Sequence, residues 1–126
     1  MSIYDEQNIF AKIIRGELPC EKIYENEYVL SFKDINPEAP SHTLIIPKGA
    51  YRDINDFIEK ATNDEIIAFN QAIPIVAKKL CISEAAGGKG YRIISNAGPD
   101  AHQSVDHFHI HLLAGRDLGP MLIPIK

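Results

Sequence analysis

The sequence predicts an α+β fold: a five-stranded antiparallel sheet with an N-terminal helix and a longer central helix. Two observations predict it. Five short strand-like runs and two or three helical patterns follow one another without β-α-β alternation, which favours an antiparallel sheet. In the last run, Asp106-His107-Phe108-His109-Ile110-His111-Leu112-Leu113, imidazoles and apolar residues alternate, and a strand sends alternate side chains to opposite faces. The chain has 126 residues, so a single domain spanning 1–126 is expected.

Asp5 is placed to cap a helix over residues 6–15. Ile9, Phe10, Ile13 and Ile14 form its apolar face, and Gly16 suits its end. After Leu18-Pro19, residues 21–24 and 28–33 read as two strands joined by a turn at 25–27. Residues 34–40 hold two prolines and read as a loop. A third strand is expected over 41–46, closed by Pro47-Lys48-Gly49, and a short helix over 55–60. Thr62-Asn63-Asp64-Glu65 matches a capping box, and Ile66, Phe69, Ile73, Val76, Ala77 and Leu80 continue it at helical spacing. Pro74 falls inside this helix and predicts a kink at 70–74. Gly87-Gly88-Lys89-Gly90 reads as a turn, since it lacks the P-loop spacing. Residues 91–95 form the fourth strand and the histidine run the fifth. The helices are expected to cover one sheet face and leave the other for a site.

Composition narrows the function. Hydrophobic residues make up 45%, charged residues 24%, and the net charge is −4, so a core is affordable and no basic stripe invites nucleic acid. No apolar run approaches the roughly 20 residues that span a bilayer, and the acidic start lacks a signal-peptide core. Cys20 and Cys81 form no C-x-x-C pair. Reduced thiols and a cytoplasmic location are expected.

Three of the five histidines lie within five residues, on one face, with Phe108, Ile110 and Leu112 on the other. An exposed polar strand face is one reading. A metal site is a second, since imidazole is a common zinc ligand. Against it, Cα atoms two apart on a strand are separated by about 6.6–7 Å, so three such rings rarely converge without ligands such as His42, His102 or a cysteine. Covalent catalysis is the third: one imidazole attacks while its neighbours orient it and move protons.

The segment Gln103-Ser104-Val105-Asp106-His107-Phe108-His109-Ile110-His111 resembles the signature of the histidine-triad nucleotide-binding family. Ile9-Phe10-Ala11-Lys12-Ile13-Ile14 is similar to that family's first helix, and residues 32–42 to its nucleotide loop. Ile45-Ile46-Pro47-Lys48, Asn96-Ala97-Gly98 and Gly115-Arg116 also fit, so the likeness extends over nearly the whole chain.

The resemblance implies hydrolysis at the α-phosphate of purine nucleotide derivatives: nucleoside 5′-phosphoramidates and acyl- or aminoacyl-nucleotides. It makes His109 the nucleophile, supported by His111, His107 and His42, with Ser104 contacting the phosphoryl or leaving group. Asp34, an acceptor when ionised, is assigned to the ribose hydroxyls; its alternative is a turn cap before Asn36-Pro37. Ile9, Phe10, Ile13, Phe32, Ile35 and Leu44 match the base-binding wall, with plain core as the alternative. Asn96, Gln103 and Val105 are assigned to the nucleotide as well, Asn96 by orienting the phosphate loop or binding phosphate. Positive imidazoles and amides around 98–105 are expected to stabilise the phosphoryl charge. The scheme requires no metal and no cofactor. The resemblance also implies a homodimer whose sheets join across the long helix and its neighbouring strand. Dinucleoside polyphosphate hydrolysis and a nucleotide-binding adaptor with little turnover are the alternatives.

Three positions depart from the family pattern. His102 stands where glycine is common, Asp106 where a bulkier residue is usual, and Pro74 lies in the helix of the implied dimer. The tail 118–126 lacks the Trp-Pro-Pro-Gly ending of the best-known branch.

Overall fold

A computed structural model describes residues 3–122. In chain order the elements are α1 (Ile9–Ile14), β1 (Lys22–Glu25), β2 (Val29–Lys33), β3 (Ser41–Pro47), α2 (Ile54–Lys60), α3 (Asn63–Lys79), β4 (Tyr91–Ser95) and β5 (Ile110–Ala114). The strands form one sheet in the order β1-β2-β3-β5-β4, with every neighbouring pair antiparallel. This is the expected α+β architecture.

Strand alternation divides the apolar residues between two faces. Val29, Ile45, Phe108, Ile110, Leu112 and Ala114 pack with Phe57 of α2 and with Phe69, Ala72, Val76 and Ala77 of α3. Leu30, Phe32, Leu44 and Ile46 point the other way and pack with Phe10 of α1. The sheet is therefore covered on both faces, and the expectation that one face stays open is corrected: α1 partly roofs the histidine face.

Local chemistry explains the helix starts. The Thr62 side chain and Glu65 make the reciprocal capping box of α3, and the Asp53 side chain caps α2. For α1 the cap is Asn8, whose Oδ1 accepts from the Ala11 N–H at 2.9 Å. Asp5, the expected cap, sits one turn earlier and accepts the Gln7 N–H at 2.9 Å, so the helix starts three residues later than predicted. α3 runs unbroken through Pro74. The proline is exposed, so water can reach the carbonyl that its missing N–H leaves unpaired.

The stretch Asn63–Ala86 is long and apolar enough, by length and composition, to cross a membrane, which corrects the expectation that no such run exists. Phe69, Ala72, Val76 and Ala77 bury one stripe of it against the sheet. The rest of the stretch is largely unburied, and α3 itself ends at Lys79.

The histidine run is only partly strand. β5 pairs with β3 and β4 from Ile110 onward. Beyond that point Pro47 has no N–H to give, and its carbonyl oxygen is taken by the His107 ring at 2.8 Å. His107-Phe108-His109 continues past the sheet edge, tied by the Phe108 N–H to the Tyr51 carbonyl at 2.7 Å. The alternation of faces survives: the three histidines share one side, and Phe108, Ile110 and Leu112 the other.

Candidate active site

Of the three imidazoles of the run, His111 meets His42 from β3, and His109 lies beside His111. The His109 and His111 rings are 5.1 Å apart, as are those of His42 and His111. The Phe10 ring stands edge-on to His109 at 5.0 Å and to His107 at 6.2 Å. Phe10 in turn meets Phe32 at 5.6 Å.

Partners with one fixed role assign the tautomers. A carbonyl only accepts and a backbone N–H only donates. His109 Nδ1 lies 2.7 Å from its neighbour's carbonyl, that of His107, so Nδ1 carries the proton and Nε2 the lone pair. His107 Nε2 donates to Pro47, and its Nδ1 accepts from the Tyr4 hydroxyl at 2.6 Å. His42 Nδ1 accepts the Glu38 N–H at 3.0 Å, so His42 Nε2–H donates to His111 Nδ1 at 2.9 Å. The proton of neutral His111 is then on Nε2.

His109 is 2% exposed, and its Nε2 makes no hydrogen bond among the described residues. The one fully buried, unpaired side-chain nitrogen or oxygen among them is Arg52 Nε. The small exposed area of His109 therefore includes its lone pair.

Burial pushes the His107 ring down to about 4. It does the same for His111, with repulsion from His109 and His42 adding to it, also to about 4. Burial likewise holds His109 below the ordinary imidazole range. These three rings are neutral near pH 7. The expectation of positive imidazoles awaiting the phosphate is corrected: desolvation removes their charge.

Asp34 is half-buried, and its two oxygens face different groups. Oδ1 accepts the Asn36 N–H at 2.8 Å, so Asp34 caps the turn before Asn36-Pro37. Oδ2 lies 3.4 Å from His42 Nε2. Asp34, His42 and His111 can each offer a ligand atom within 4.8 Å of the others, the arrangement a cation would need. The donor set does not fit one. With Nδ1 of His42 accepting a backbone N–H, its Nε2 is protonated and has no lone pair for a metal.

The loop before the histidine run is braced internally. Asn96 Nδ2 donates to the Ala101 carbonyl at 2.7 Å. Gln103 Oε1 accepts the Gly98 N–H at 3.0 Å, while its Nε2 donates to the carbonyls of Arg52 and Val105 at 2.6 and 3.0 Å. Gly98 has φ +85° and ψ 175°, a conformation reserved for glycine. Ser104 is exposed, and among the described residues neither its hydroxyl nor the amide N–H groups of Ser104 and Val105 has a hydrogen-bond partner. An open groove of about 440 Å³ lies there, lined by Asp5, Gln7, Asn8, Ile9 and residues 103–106. A larger groove of about 880 Å³ lies between residues 81–92 and 114–118 and contains no histidine.

The apolar wall separates into two groups. Phe10, Phe32 and Leu44 are buried, with Ile13 and Val105 packed against their cluster. Ile9 and Ile35 are 47% and 85% exposed, so plain core does not describe them. His102 is exposed, on a left-handed backbone with φ +60°. Asp106 points outward, 3.5 Å from Arg52. The sequence offered no signal for Tyr4, for the Glu38 amide or for the Pro47 carbonyl, because each meets its histidine through tertiary packing. Gly115 closes the arrangement: a Cβ there would stand 2.7 Å from that of Pro40, so its absence lets the 34–40 loop lie against the end of β5.

Residues 15–118 match the HIT domain family. An uncharacterized 13.2 kDa HIT-like protein of Azospirillum brasilense is 53% identical over 119 residues, 94% of each chain. The purine nucleoside phosphoramidase of Escherichia coli is 41% identical over 117 residues, 93% of this chain and 94% of that one. A solved HIT family hydrolase from Clostridium thermocellum superposes with a TM-score of 0.83 at 43% identity, covering 94% of this chain and 99% of its own.

Proposed function

The chain belongs to the HIT family, and on that premise we propose that it is a hydrolase acting at the α-phosphate of purine nucleotide derivatives through a nucleotidyl-His109 intermediate. Nucleoside 5′-phosphoramidates and acyl- or aminoacyl-nucleotides are its substrate class. The observation that carries the reading is the orientation of His109, with Nδ1–H given to the His107 carbonyl and the Nε2 lone pair left without a partner. The E. coli relative, a purine nucleoside phosphoramidase by name, supports the substrate class.

In the first step Nε2 attacks phosphorus and the bond to the leaving group breaks: P–N to an amine in a phosphoramidate, P–O to a carboxylate in an acyl-nucleotide. With a phosphoramidate one P–N bond replaces another, so the intermediate is accessible, and one difficult step becomes two easier ones. In the second, water attacks phosphorus and releases the nucleoside monophosphate with His109 restored. The unpaired amides of Ser104 and Val105 and the Ser104 hydroxyl are the donors for the phosphoryl oxygens. The leaving amine needs a proton. His111 is neutral in the free protein, and the anionic phosphoryl group raises the affinity of nearby imidazole for a proton. The acid thus forms when substrate arrives. Asp34 takes the ribose hydroxyls, and Ile9, Phe10 and Ile35 the base.

We also propose a homodimer. β4 ends the sheet, with no further strand paired to it among the described residues, and Ile93 on it and Ile67 and Ile75 on α3 are 46%, 53% and 38% exposed. A paired edge removes the aggregation hazard that an open strand carries. A monomeric mass at micromolar concentration would refute this.

The deciding experiment mixes the protein briefly with a phosphate-labelled adenosine phosphoramidate, quenches in alkali and maps the peptides. Label on the peptide containing His109, absent from His109→Ala, is the expected result. Turnover retained by His109→Ala sinks the proposal. Tight AMP binding with no turnover by the wild type would favour the adaptor reading, and faster turnover of a dinucleoside polyphosphate would reassign the leaving group.

A further inference from the structure

We propose that Tyr4 is a positioning residue for this chemistry: its hydroxyl anchors the His107 ring and, through that residue's carbonyl, sets the orientation of His109. The inference rests on His109 being the nucleophile. Tyr4 Oη lies 2.6 Å from His107 Nδ1 across 103 residues of chain, and the two rings meet edge to face at 5.7 Å. Because His107 Nε2–H already serves the Pro47 carbonyl, Nδ1 holds a lone pair and the phenol is its donor.

His107 is fully buried, so both of its nitrogens need partners, and Tyr4 supplies one of the two. A ring bonded at both nitrogens and flanked by Phe10 at 6.2 Å has one orientation. The carbonyl of the same residue accepts His109 Nδ1–H at 2.7 Å. Anchoring the ring therefore fixes the acceptor that selects the His109 tautomer and aims its lone pair. Burial also raises the Tyr4 pKa, so its hydroxyl keeps its proton at neutral pH, where the imidazoles are neutral as well. The segment ahead of α1 thereby becomes part of the catalytic apparatus.

Tyr4→Phe tests this, since it keeps the ring contact and deletes only the donor. In protein labelled with nitrogen-15, the His107 Nδ1 resonance is expected to move to the position of an unbonded lone pair. The His109 Nδ1–H signal is expected to exchange faster. With adenosine 5′-phosphoramidate, kcat is expected to fall about tenfold, the scale of a slightly misaimed reactant, while KM and AMP affinity stay within about twofold. Merely structural damage would weaken AMP binding as well, which overturns the proposal. So does a wild-type kcat, or His109 signals identical to wild type. If the wild-type protein turns over no phosphoramidate, the functional reading fails, and the His109 signals alone decide the role of Tyr4.

Discussion

The His109 Nδ1 proton is donated to the carbonyl oxygen of His107, 2.7 Å away. One residue's backbone carbonyl thus determines which nitrogen of an imidazole two residues on keeps its lone pair. The arrangement holds while both rings are neutral, and burial keeps them so.

That burial makes stability depend on pH. His107 is held to about 4, against about 6.5 in an unfolded chain. Between those values the unfolded chain binds a proton that the folded protein does not, so stability rises with pH. The His107 contribution is complete above about 6.5 and is lost as pH falls toward 4, by on the order of 3 kcal/mol. His111 acts in the same direction. Urea unfolding between pH 7 and 4.5 should show the loss, and His107→Gln should flatten the slope.

Asp34→Asn separates the two functions of that carboxylate. The amide oxygen can still accept the Asn36 N–H, now at 2.8 Å, so the fold should be retained within about 0.5 kcal/mol. The charge proposed to accept ribose hydroxyls is gone. The preference for ribonucleotide over 2′-deoxyribonucleotide substrate should fall to near unity in kcat/KM; an unchanged preference would remove Asp34 from ribose recognition.

Gln103→Ala deletes three hydrogen bonds that tie the 98–105 loop to itself and to Arg52. A stability loss of about 1–3 kcal/mol is expected from the backbone groups left unpaired. The rate should drop as well, because the amides of Ser104 and Val105 lose their fixed positions. Thermal unfolding and steady-state kinetics on the same sample check both effects.

His102→Gly should stabilise the protein by about 0.5–1 kcal/mol, because φ is +60° there and a side chain in that region is strained. Its ring is exposed and has no hydrogen bond among the described residues. Turnover should not change. A rate loss would place the fifth imidazole in the reaction.

The architecture was legible because alternation and capping are local. Phe108, Ile110 and Leu112 had to face away from the three histidines, and Thr62 with Glu65 had to begin a helix. The start of α1 is not legible in the sequence, because Asp5 and Asn8 are both competent caps three residues apart and the folded chain uses Asn8. Pro74 does not end α3, which continues to Lys79; the proline is exposed, so water reaches the carbonyl that it leaves unpaired. The alternation placed all of the run in a strand, but Pro47 on β3 ends the ladder at Ile110.

The order of residues is enough to say which side chains can share a face, because strand periodicity is a property of consecutive residues. It determines the residue types as well: four imidazoles, a serine and a carboxylate suited to a nucleotide. Tertiary structure alone decided their protonation. The tautomer of His109 depends on a carbonyl beyond the sheet edge, that of His42 on the Glu38 amide, and that of His107 on Pro47 and Tyr4. The neutrality of the buried rings depends on apolar neighbours such as Phe10. A proton's position is set by whichever donor or acceptor stands within about 3 Å, and in this fold those partners are brought there by packing rather than by the histidine motif.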